Sequence, residues 1–312
     1  MMSDTATVAA AVAATAHEAE AARIERHRRF RSNTLPALVT VGPVTLWLLA
    51  FIAVPLLYIL IMGFCSTDQY YNVVYSFTLD NFAAMLDVEY LKIYGQSILI
   101  AAVSTAVCLV LAYPFSYLIS RTFKSKKTLL YMMIIIPFWT NSLVRIYGWR
   151  TFLSATGQLN SFLMAIGLTG EPIQFLYNQA CTIFGMAYDM FPFMVLPLYA
   201  AIEKLDEAQI EASFDLGANM ITTLFKVVIP QTMSGIFSGC IMVFIPSLGA
   251  FYISDILGGG NADVIGNLIQ RQFQSANDWP LGAALSILLI VITLALVKIY
   301  QKAGGDMESL GV

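Results

Sequence analysis

Six long apolar stretches alternate with polar segments along the chain. Each stretch is close to the roughly 20 residues that a helix needs to cross about 30 Å of hydrocarbon. They cover residues 41–64, 96–119, 128–149, 180–202, 232–254 and 281–300. Membrane helices tolerate proline kinks where neighbouring helices satisfy the freed carbonyls. Prolines fall inside these stretches or near their ends at Pro55, Pro114, Pro137, Pro192, Pro197 and Pro246. The pattern predicts an all-α membrane protein with six transmembrane helices packed around a cavity.

The polar segment at residues 203–230 separates the fourth and fifth apolar stretches. It holds five acidic residues and two lysines, and each charge at a bilayer centre would cost about 2.5–3.5 kcal/mol. The segment therefore lies outside the membrane. Residues 203–216 lack Gly and Pro and place apolar side chains at helical spacing, which predicts one amphipathic helix. Gly217 is a natural stop for this helix, Asn219 can cap the next, and Pro230 ends a second short helix over residues 220–228.

The basic residues gather on one side of the predicted membrane. Five arginines lie between residues 23 and 31, four basic residues at 121–127, two lysines in the 203–230 segment, and Lys298 and Lys302 near the end. The opposite loops hold only Lys92, Arg150 and Arg271. Because cytoplasmic loops are enriched in Lys and Arg, we expect both termini and the 203–230 segment in the cytoplasm. The chain then divides into an N-terminal tail at 1–35, a transmembrane domain at 36–302 and a C-terminal tail at 303–312.

Composition supports this class and excludes several chemistries. The chain of 312 residues is 58% hydrophobic and 12% charged, with a mean hydropathy of +0.71, which is outside the range of soluble globular proteins. Four cysteines form no CxxC pair and both histidines lie near the N-terminus, so we expect no metal site. No phosphate-binding loop or nucleophile motif is present. We expect a chain that is no enzyme, binds no cofactor or nucleic acid, and takes its energy from another chain.

Asp189 is the one acidic residue deep in an apolar stretch. An ionised side chain there is costly unless it faces a water-filled path or a partner, and a passing cation would supply the counter-charge. The neighbouring Tyr188 could add a cation–π contact to an amine. Alternatively, Asp189 bonds to a neighbouring helix and only sets packing. Arg145 fits a snorkel to the outer interface better than a place on the path, and Trp139 and Tyr147 suit either a lipid belt or the cavity lining.

The residues of the polar segment carry a specific resemblance. Glu211-Ala212-Ser213, then Gly217, then Val227, Ile229 and Pro230 have the spacing of the EAA motif, and the chain in this respect resembles bacterial ABC importer permeases. The resemblance implies a coupling helix that seats on a cytoplasmic ATPase, with Glu211 at the docking surface and Gly217 at the bend. ATP and Mg²⁺ would then belong to the ATPase. Ser213 stands where the motif usually has a second Ala.

Further stretches are similar to the spermidine/putrescine branch of these permeases, and the likeness covers nearly everything after residue 35. They are residues 136–140, 145–147, 192–199, 251–255 and 277–280. The resemblance implies a bacterial inner-membrane subunit that works with lipids, an ATPase homodimer, a second permease and a periplasmic polyamine-binding protein, which the aromatic and acidic outer loops would suit. It also adds Phe251, Tyr252 and Asp255 to the candidate path.

Two other functions stay open from the sequence. One is a permease for another small cationic or organic solute, because one sequence does not fix the ligand. The other is a secondary transporter or channel that works alone. That function would need its own ion-coupling site and usually an internal repeat, and neither is visible.

Overall fold

The computed structural model describes residues 40–122 and 124–302, without the side chains of residues 124–128 and 131. The predicted tails at 1–35 and 303–312 lie outside these residues. We number the helices α1 to α13 in chain order. The first seven are α1 (Thr40–Met62), α2 (Asp80–Ala84), α3 (Val88–Arg121), α4 (Lys124–Ile135), α5 (Ser142–Leu153), α6 (Gln158–Ala165) and α7 (Gln179–Glu203). The others are α8 (Glu207–Asp215), α9 (Met220–Gln231), α10 (Met233–Gly249), α11 (Phe251–Ile253), α12 (Ile265–Arg271) and α13 (Trp279–Lys302).

The chain divides into two compact units, Met1–Ile61 and Met62–Val312. In the first unit the structure describes residues 40–61, which are helix α1 without its last residue. This helix is apolar and has a π-helical turn at Leu49–Ala53. The second unit holds all the other elements, including a short antiparallel hairpin of β1 (Ser66–Thr67) and β2 (Val73–Val74). Every candidate residue for function lies in this second unit.

Four helices in the described part of the chain are long and apolar enough to cross a membrane: α1, α3, α7 and α13. Helices α9 and α10 meet at a bend of 71° and make a fifth span if they count as one. The predicted third span, residues 128–149, is not one helix. It is divided into α4, a 3-10 turn at Ile136–Trp139 and α5. The all-α membrane fold is thus confirmed, with four or five spans by length and composition where the sequence predicted six.

Helices α3, α7 and α10 pack together and form the centre of the second unit. Their shared core includes Cys108 and Ala112 of α3, Met194 and Leu198 of α7, and Val243 of α10, all fully buried. Two glycines let α10 approach α7 closely. A Cβ on Gly235 would lie 2.7 Å from the Pro197 carbonyl oxygen, and one on Gly239 would lie 2.6 Å from the Met194 sulfur. Small residues at this spacing are typical of tight packing between membrane helices.

Polar side chains fix the loops that connect these helices. The buried Asn160 amide donates to the carbonyls of Ser154 and Ile173, both at 3.0 Å, and so closes the loop around α6. In the hairpin, Asp68 accepts the backbone N–H groups of Asn72 and Tyr70 at 2.8 Å, which lowers the pKa of the Asp68 carboxyl. All four cysteines are free thiols.

The chain turns after α11 and then forms a short helix. A turn is present: Gly259 and Gly260 adopt φ angles of 57° and 86°, which glycine reaches without strain. The first four residues of the helix that follows, α12, are buried. It packs against α13 and α10 because its apolar side chains complete the core there.

Candidate functional site: the 203–230 segment and a buried polar cluster

The first candidate site is the segment between α7 and α10. Helix α8 begins at Glu207, not at residue 203 as predicted, because Asp206 leaves the helical conformation and caps the helix instead. The Asp206 carboxylate accepts the N–H of Ala208 at 3.0 Å. A carboxylate at this position satisfies a free N–H group and interacts well with the positive end of the helix dipole.

Gly217 ends α8, as the sequence predicts. Its φ angle is 80°, a left-handed conformation that only glycine adopts readily. The N–H of Gly217 donates to the Phe214 carbonyl at 2.8 Å, and the N–H of Ala218 donates to the Ser213 carbonyl at 3.0 Å. These two bonds form a Schellman motif. The predicted Asn219 cap is also present, because its side-chain oxygen accepts the N–H of Thr222 at 2.8 Å.

Ser213 holds the two arms of the segment together. Its hydroxyl donates to the Ile210 carbonyl at 2.7 Å and is also hydrogen-bonded to the Thr223 hydroxyl of α9 at 2.8 Å. Both hydroxyl side chains are buried. Ser213, which stands where the EAA motif usually has Ala, is small enough to keep the helix face intact. Its hydroxyl also adds a buried hydrogen bond between α8 and α9.

The other side of α8 is exposed. Glu211 and Ala212 point to the surface, and the apolar side chains of Phe214 and Leu216 do so as well. At the start of the helix, Arg121 at the end of α3 donates to the Glu207 carboxylate at 2.9 Å. An exposed pair of this kind contributes about 0–1 kcal/mol. The segment thus presents an acid and large apolar side chains to its surroundings.

Ile229 and Pro230 lie near the end of α9. The helix continues through Pro230 to Gln231, three residues beyond the predicted range of 220–228. The chain then bends by 71° into α10. This bend turns the backbone from the polar segment into the following apolar helix.

The second candidate site is a buried polar cluster around Asp189 of α7. One carboxylate oxygen, Oδ1, accepts the Ser142 hydroxyl at 2.6 Å and the Arg145 Nη2 at 2.7 Å. The other, Oδ2, accepts the Tyr252 hydroxyl at 2.8 Å. Ser142 and Tyr252 are also 3.0 Å apart, within hydrogen-bond distance. Helix α5, helix α7 and the short helix α11 therefore meet at one carboxylate.

The cluster corrects two expectations from the sequence. Asp189 is not an unpaired carboxylate waiting for a passing cation, because Arg145 already supplies its counter-charge. Arg145 is not a snorkel to the outer interface either. Its side chain is 10% exposed and that of Asp189 is 5% exposed. The reason is geometric: α5 begins anew at Ser142 after the 3-10 turn, and this start points Ser142 and Arg145, one turn apart, at α7.

Aromatic rings surround the Arg145 guanidinium. Its central carbon lies 4.1 Å from the Phe138 ring centroid and 5.9 Å from that of Tyr188. Cation–π contacts at these distances stabilise a desolvated cation. In the described part of the chain, Nε and Nη1 of Arg145 have no hydrogen-bond partner. Arg145 and Ser142 are the residues of this cluster that sequence reasoning missed.

The predicted path residues do not all meet at this cluster. Tyr188 stacks edge-on against Trp149, with ring centroids 5.4 Å apart. Trp139 is 83% exposed and Tyr147 half exposed, so both present much of their surface to the surroundings. Phe251 is also exposed.

Asp255 belongs to a separate hydrogen-bonded group. Its carboxylate accepts the Asn267 amide at 2.6 Å, and the same amide donates to the Phe251 carbonyl at 3.2 Å. Desolvation raises the pKa of the Asp255 carboxyl, and the Asn267 bond offsets part of that rise. Of the seven predicted path residues, Asp189 and Tyr252 are joined by a hydrogen bond, Tyr188 is next to Asp189 in the chain, and the rings of Phe251 and Tyr252 lie edge-on with centroids 6.2 Å apart.

An apolar cavity of about 520 Å³ lies next to the cluster. Residues of α3, α4, the 3-10 turn and α7 line it, and Phe138 and Tyr188 form the wall nearest Arg145. A cavity of this size with aromatic walls suits an apolar or aliphatic group more than a hydrated ion. In the parts of the chain that the structure describes, no group of three or more His, Cys, Asp or Glu side chains is placed to hold a metal ion.

Comparisons with known proteins agree with this architecture. Residues 112–302 match the model of the family described as binding-protein-dependent transport system inner membrane component. The spermidine/putrescine transport system permease protein PotB of Escherichia coli K12 is 42% identical over 257 residues, covering 82% of this chain and 94% of that protein. Its namesake from Salmonella typhimurium SL1344 is 43% identical, covering 82% and 90%. The PotB protein of Haemophilus influenzae is 38% identical, covering 85% and 93%.

Solved structures are similar in fold. A bacterial alginate ABC transporter, in complex with an alginate pentasaccharide-bound periplasmic protein, aligns with a TM-score of 0.70 at 18% identity, covering 87% of this chain and 94% of that one. At this identity the likeness establishes the fold alone. Together with the family match, it identifies the chain as an integral membrane permease of an ABC importer with the type I fold, a member of the family of binding-protein-dependent transport system inner membrane components.

Proposed function

We propose that this chain is one permease subunit of an ATP-driven polyamine importer and forms half of the translocation path for spermidine or putrescine. The observation that carries the proposal is the 38–43% identity to PotB proteins over 90–94% of their length. The importer would comprise this chain, a second permease, an ATPase homodimer that holds ATP and Mg²⁺, and a periplasmic polyamine-binding protein. Its site is the bacterial inner membrane, with both termini in the cytoplasm. This chain itself catalyses no reaction.

The 203–230 segment is the coupling element in this proposal. Glu211, Ala212 and the exposed apolar side chains of α8 seat on the ATPase, and Gly217 sets the angle between α8 and α9. Ile229 and Pro230 lie just before the bend into α10, so a push on α8 passes through the Ser213–Thr223 link and α9 to that helix. Closure of the ATPase pair would thus switch the path between outward- and inward-facing states.

The substrate path in this proposal runs by the Asp189 cluster, with Tyr188, Trp139, Tyr147, Phe251, Tyr252 and Asp255 as further lining residues. Three of them, Asp189, Tyr252 and Tyr188, are already close together. Trp139 and Tyr147 are exposed in the isolated chain, a position from which they can face the second permease. Packing remains the rival role of Asp189, and the bonds of the cluster suit that role as well.

The test is reconstitution of the complete complex in proteoliposomes. We expect ATP-dependent uptake of radiolabelled spermidine or putrescine, and co-purification of an ATPase and a second permease identified by mass spectrometry. Absence of polyamine uptake, together with ATP-dependent uptake of a radiolabelled amino acid or other organic cation by the same complex, would assign the permease to another small solute. That solute class is the alternative within the same family. Family membership sets aside a secondary transporter or channel that works alone.

Coupling is tested by two variants of the polar segment. Glu211→Lys reverses the charge on the docking side, and Gly217→Pro forbids the left-handed turn. We expect both to insert into the membrane normally and to lower uptake and polyamine-stimulated ATP hydrolysis together. Gln209→Lys is the matched control, since it adds a positive charge about 200° away around the same helix. Normal coupled activity in both variants would remove the segment from the mechanism.

A further inference from the structure

The charge of the Asp189 cluster determines how it would act on a cation. Asp189 and Arg145 are both about nine-tenths buried and lie 2.7 Å apart, so the cluster is neutral as a whole. Ser142 and Tyr252 are neutral donors to the same carboxylate. The pair connects two helices that are 44 residues apart at these positions. A cation on the proposed path would therefore meet a neutral pair, whereas the carboxylate alone would attract it strongly.

The bonds of the carboxylate leave one place for a further donor. An ionised carboxylate offers about four lone-pair positions. In the described part of the chain, Oδ1 accepts two donors and Oδ2 accepts only the Tyr252 hydroxyl. Oδ2 thus keeps a lone-pair position that none of the three donors occupies, and in this proposal a substrate ammonium would use it. The carboxylate is thus able to contact an amine while it keeps its internal counter-charge.

We propose that Arg145 is a positioning residue that sets how tightly the path holds a cation. This inference rests on the proposed polyamine function and deepens it. A site on a transport path must bind its substrate strongly enough for the substrate to enter and weakly enough for it to leave. A buried carboxylate without a counter-charge in a medium of low dielectric binds a polyamine too tightly for fast release. Arg145 prevents that by keeping Asp189 neutralised, and Phe138 and Tyr188 hold the guanidinium in place.

Variants of the pair change its net charge, and a negative and a positive net charge should shift polyamine binding in opposite directions. Arg145→Gln removes the cation and leaves the carboxylate alone, so the path holds a polyamine more tightly and releases it more slowly. Asp189→Asn leaves a buried guanidinium that repels a polyamine. The double variant Arg145→Gln/Asp189→Asn keeps hydrogen-bonding groups at both positions and restores neutrality.

The experiment measures equilibrium binding of radiolabelled spermidine to the detergent-purified permease–ATPase complex, and spermidine uptake by the same complex with its binding protein in proteoliposomes. For Arg145→Gln we expect a Kd lower by on the order of tenfold, with a lower KM and a lower maximal uptake rate. For Asp189→Asn we expect a higher Kd and a higher KM. The double variant should return both constants to within about threefold of wild type.

The sign of the shift separates this role from packing. Loss of a purely structural ion pair lowers assembly or maximal rate in both single variants and gives no opposite movement of Kd. Shifts in the same direction, or unchanged Kd in an assembled complex, would overturn the inference. Arg145→Lys keeps the pair neutral and should retain a wild-type Kd, which keeps the test decisive if Arg145→Gln assembles poorly. A wild-type complex that binds and carries no polyamine contradicts the proposed function itself, a result distinct from failure of the variants.

Discussion

At the scale of single residues, the Ser213–Thr223 bond is the most informative contact of the 203–230 segment. Ser213→Ala restores the residue that the EAA motif usually has, yet it leaves a buried Thr223 hydroxyl without this partner. We expect a loss of about 1–3 kcal/mol in local stability. Hydrogen exchange of the purified complex measures this loss: the amides of residues 207–223 should exchange faster than in wild type, while the melting temperature of the complex stays unchanged.

The control for this prediction replaces both partners. Ser213→Ala/Thr223→Val removes the two hydroxyls together and leaves no unpaired group, so exchange should return close to the wild-type rate. Exchange in Ser213→Ala that equals wild type would mean that the hydroxyl pair does not hold the two arms together.

Residues that act within one turn of the chain were predictable from the sequence. Gly217 and Asn219 end one helix and start the next through bonds to residues at most five positions away. The partner of Asp189 was not predictable in this way. Arg145 is 44 residues distant, and no local pattern states which helix face meets which. The one available signal was the spacing of Ser142 and Arg145, which places both on the same side of a helix.

At the scale of elements, the break between α4 and α5 explains why one predicted span is not a single helix. Hydropathy reflects the apolar character of residues 128–149, but it does not indicate the 3-10 turn at Ile136–Trp139. Pro137 and Asn141 were the local signals, because a proline and an Asn before Ser mark a helix boundary. Asn141 indeed caps α5, since its side chain accepts the Leu143 N–H at 2.8 Å.

Helix α5 should therefore depend on its cap. Asn141→Ala removes the bond to Leu143 and should lower stability by about 1 kcal/mol, measured as a lower melting temperature of the complex in detergent. Asn141→Asp keeps an acceptor at the same place and should remain near wild type. Equal melting of the Ala and wild-type proteins would contradict the assigned role. The cap also positions Ser142 and Arg145, so Asn141→Ala should reduce uptake further than its stability alone explains.

The contact of α10 with α7 gives a graded prediction from three glycines of one helix. Gly235→Ala places its Cβ 2.7 Å from a backbone carbonyl oxygen, which cannot move without shifting α7. Gly239→Ala meets first the flexible Met194 sulfur at 2.6 Å. We expect Gly235→Ala to lower the melting temperature most and Gly239→Ala less. Gly249→Ala is the matched control, since nothing lies within 4 Å of its added Cβ. A larger loss of melting temperature in Gly239→Ala than in Gly235→Ala would refute this packing.

At the scale of the whole molecule, the fold class followed from the sequence because a bilayer imposes strong rules. Spans must be apolar and about 20 residues long, and the polar 203–230 segment must lie outside them. These rules do not determine how helices meet. The bend of 71° between α9 and α10 and the burial of α12 both depend on tertiary contacts. Substrate and partners came from resemblance, since polyamine selectivity has no short motif.

Orientation in the membrane is the remaining global prediction, and it rests on charge. The basic residues at 121–127, in the 203–230 segment and at the ends of the chain lie on one predicted side, while the loops near residues 72 and 261 hold few. Positive residues are retained in the cytoplasm during insertion. We expect cysteines introduced at residue 5, within 122–127, at 218 and at 310 to be protected from a membrane-impermeant maleimide in intact cells. Cysteines near 72 and 261 should react.

Permeabilised cells provide the control for this labelling, because every exposed introduced cysteine should then react regardless of side. The native cysteines give little background, since three of the four are buried and the fourth is partly buried. Reaction at 218 in intact cells would place α8 outside and make contact with a cytoplasmic ATPase impossible. Protection at 72 or 261 would remove those loops from the binding-protein side. The labelling pattern therefore tests orientation and coupling together, because only an inner α8 can pass the motion of an ATPase into α10.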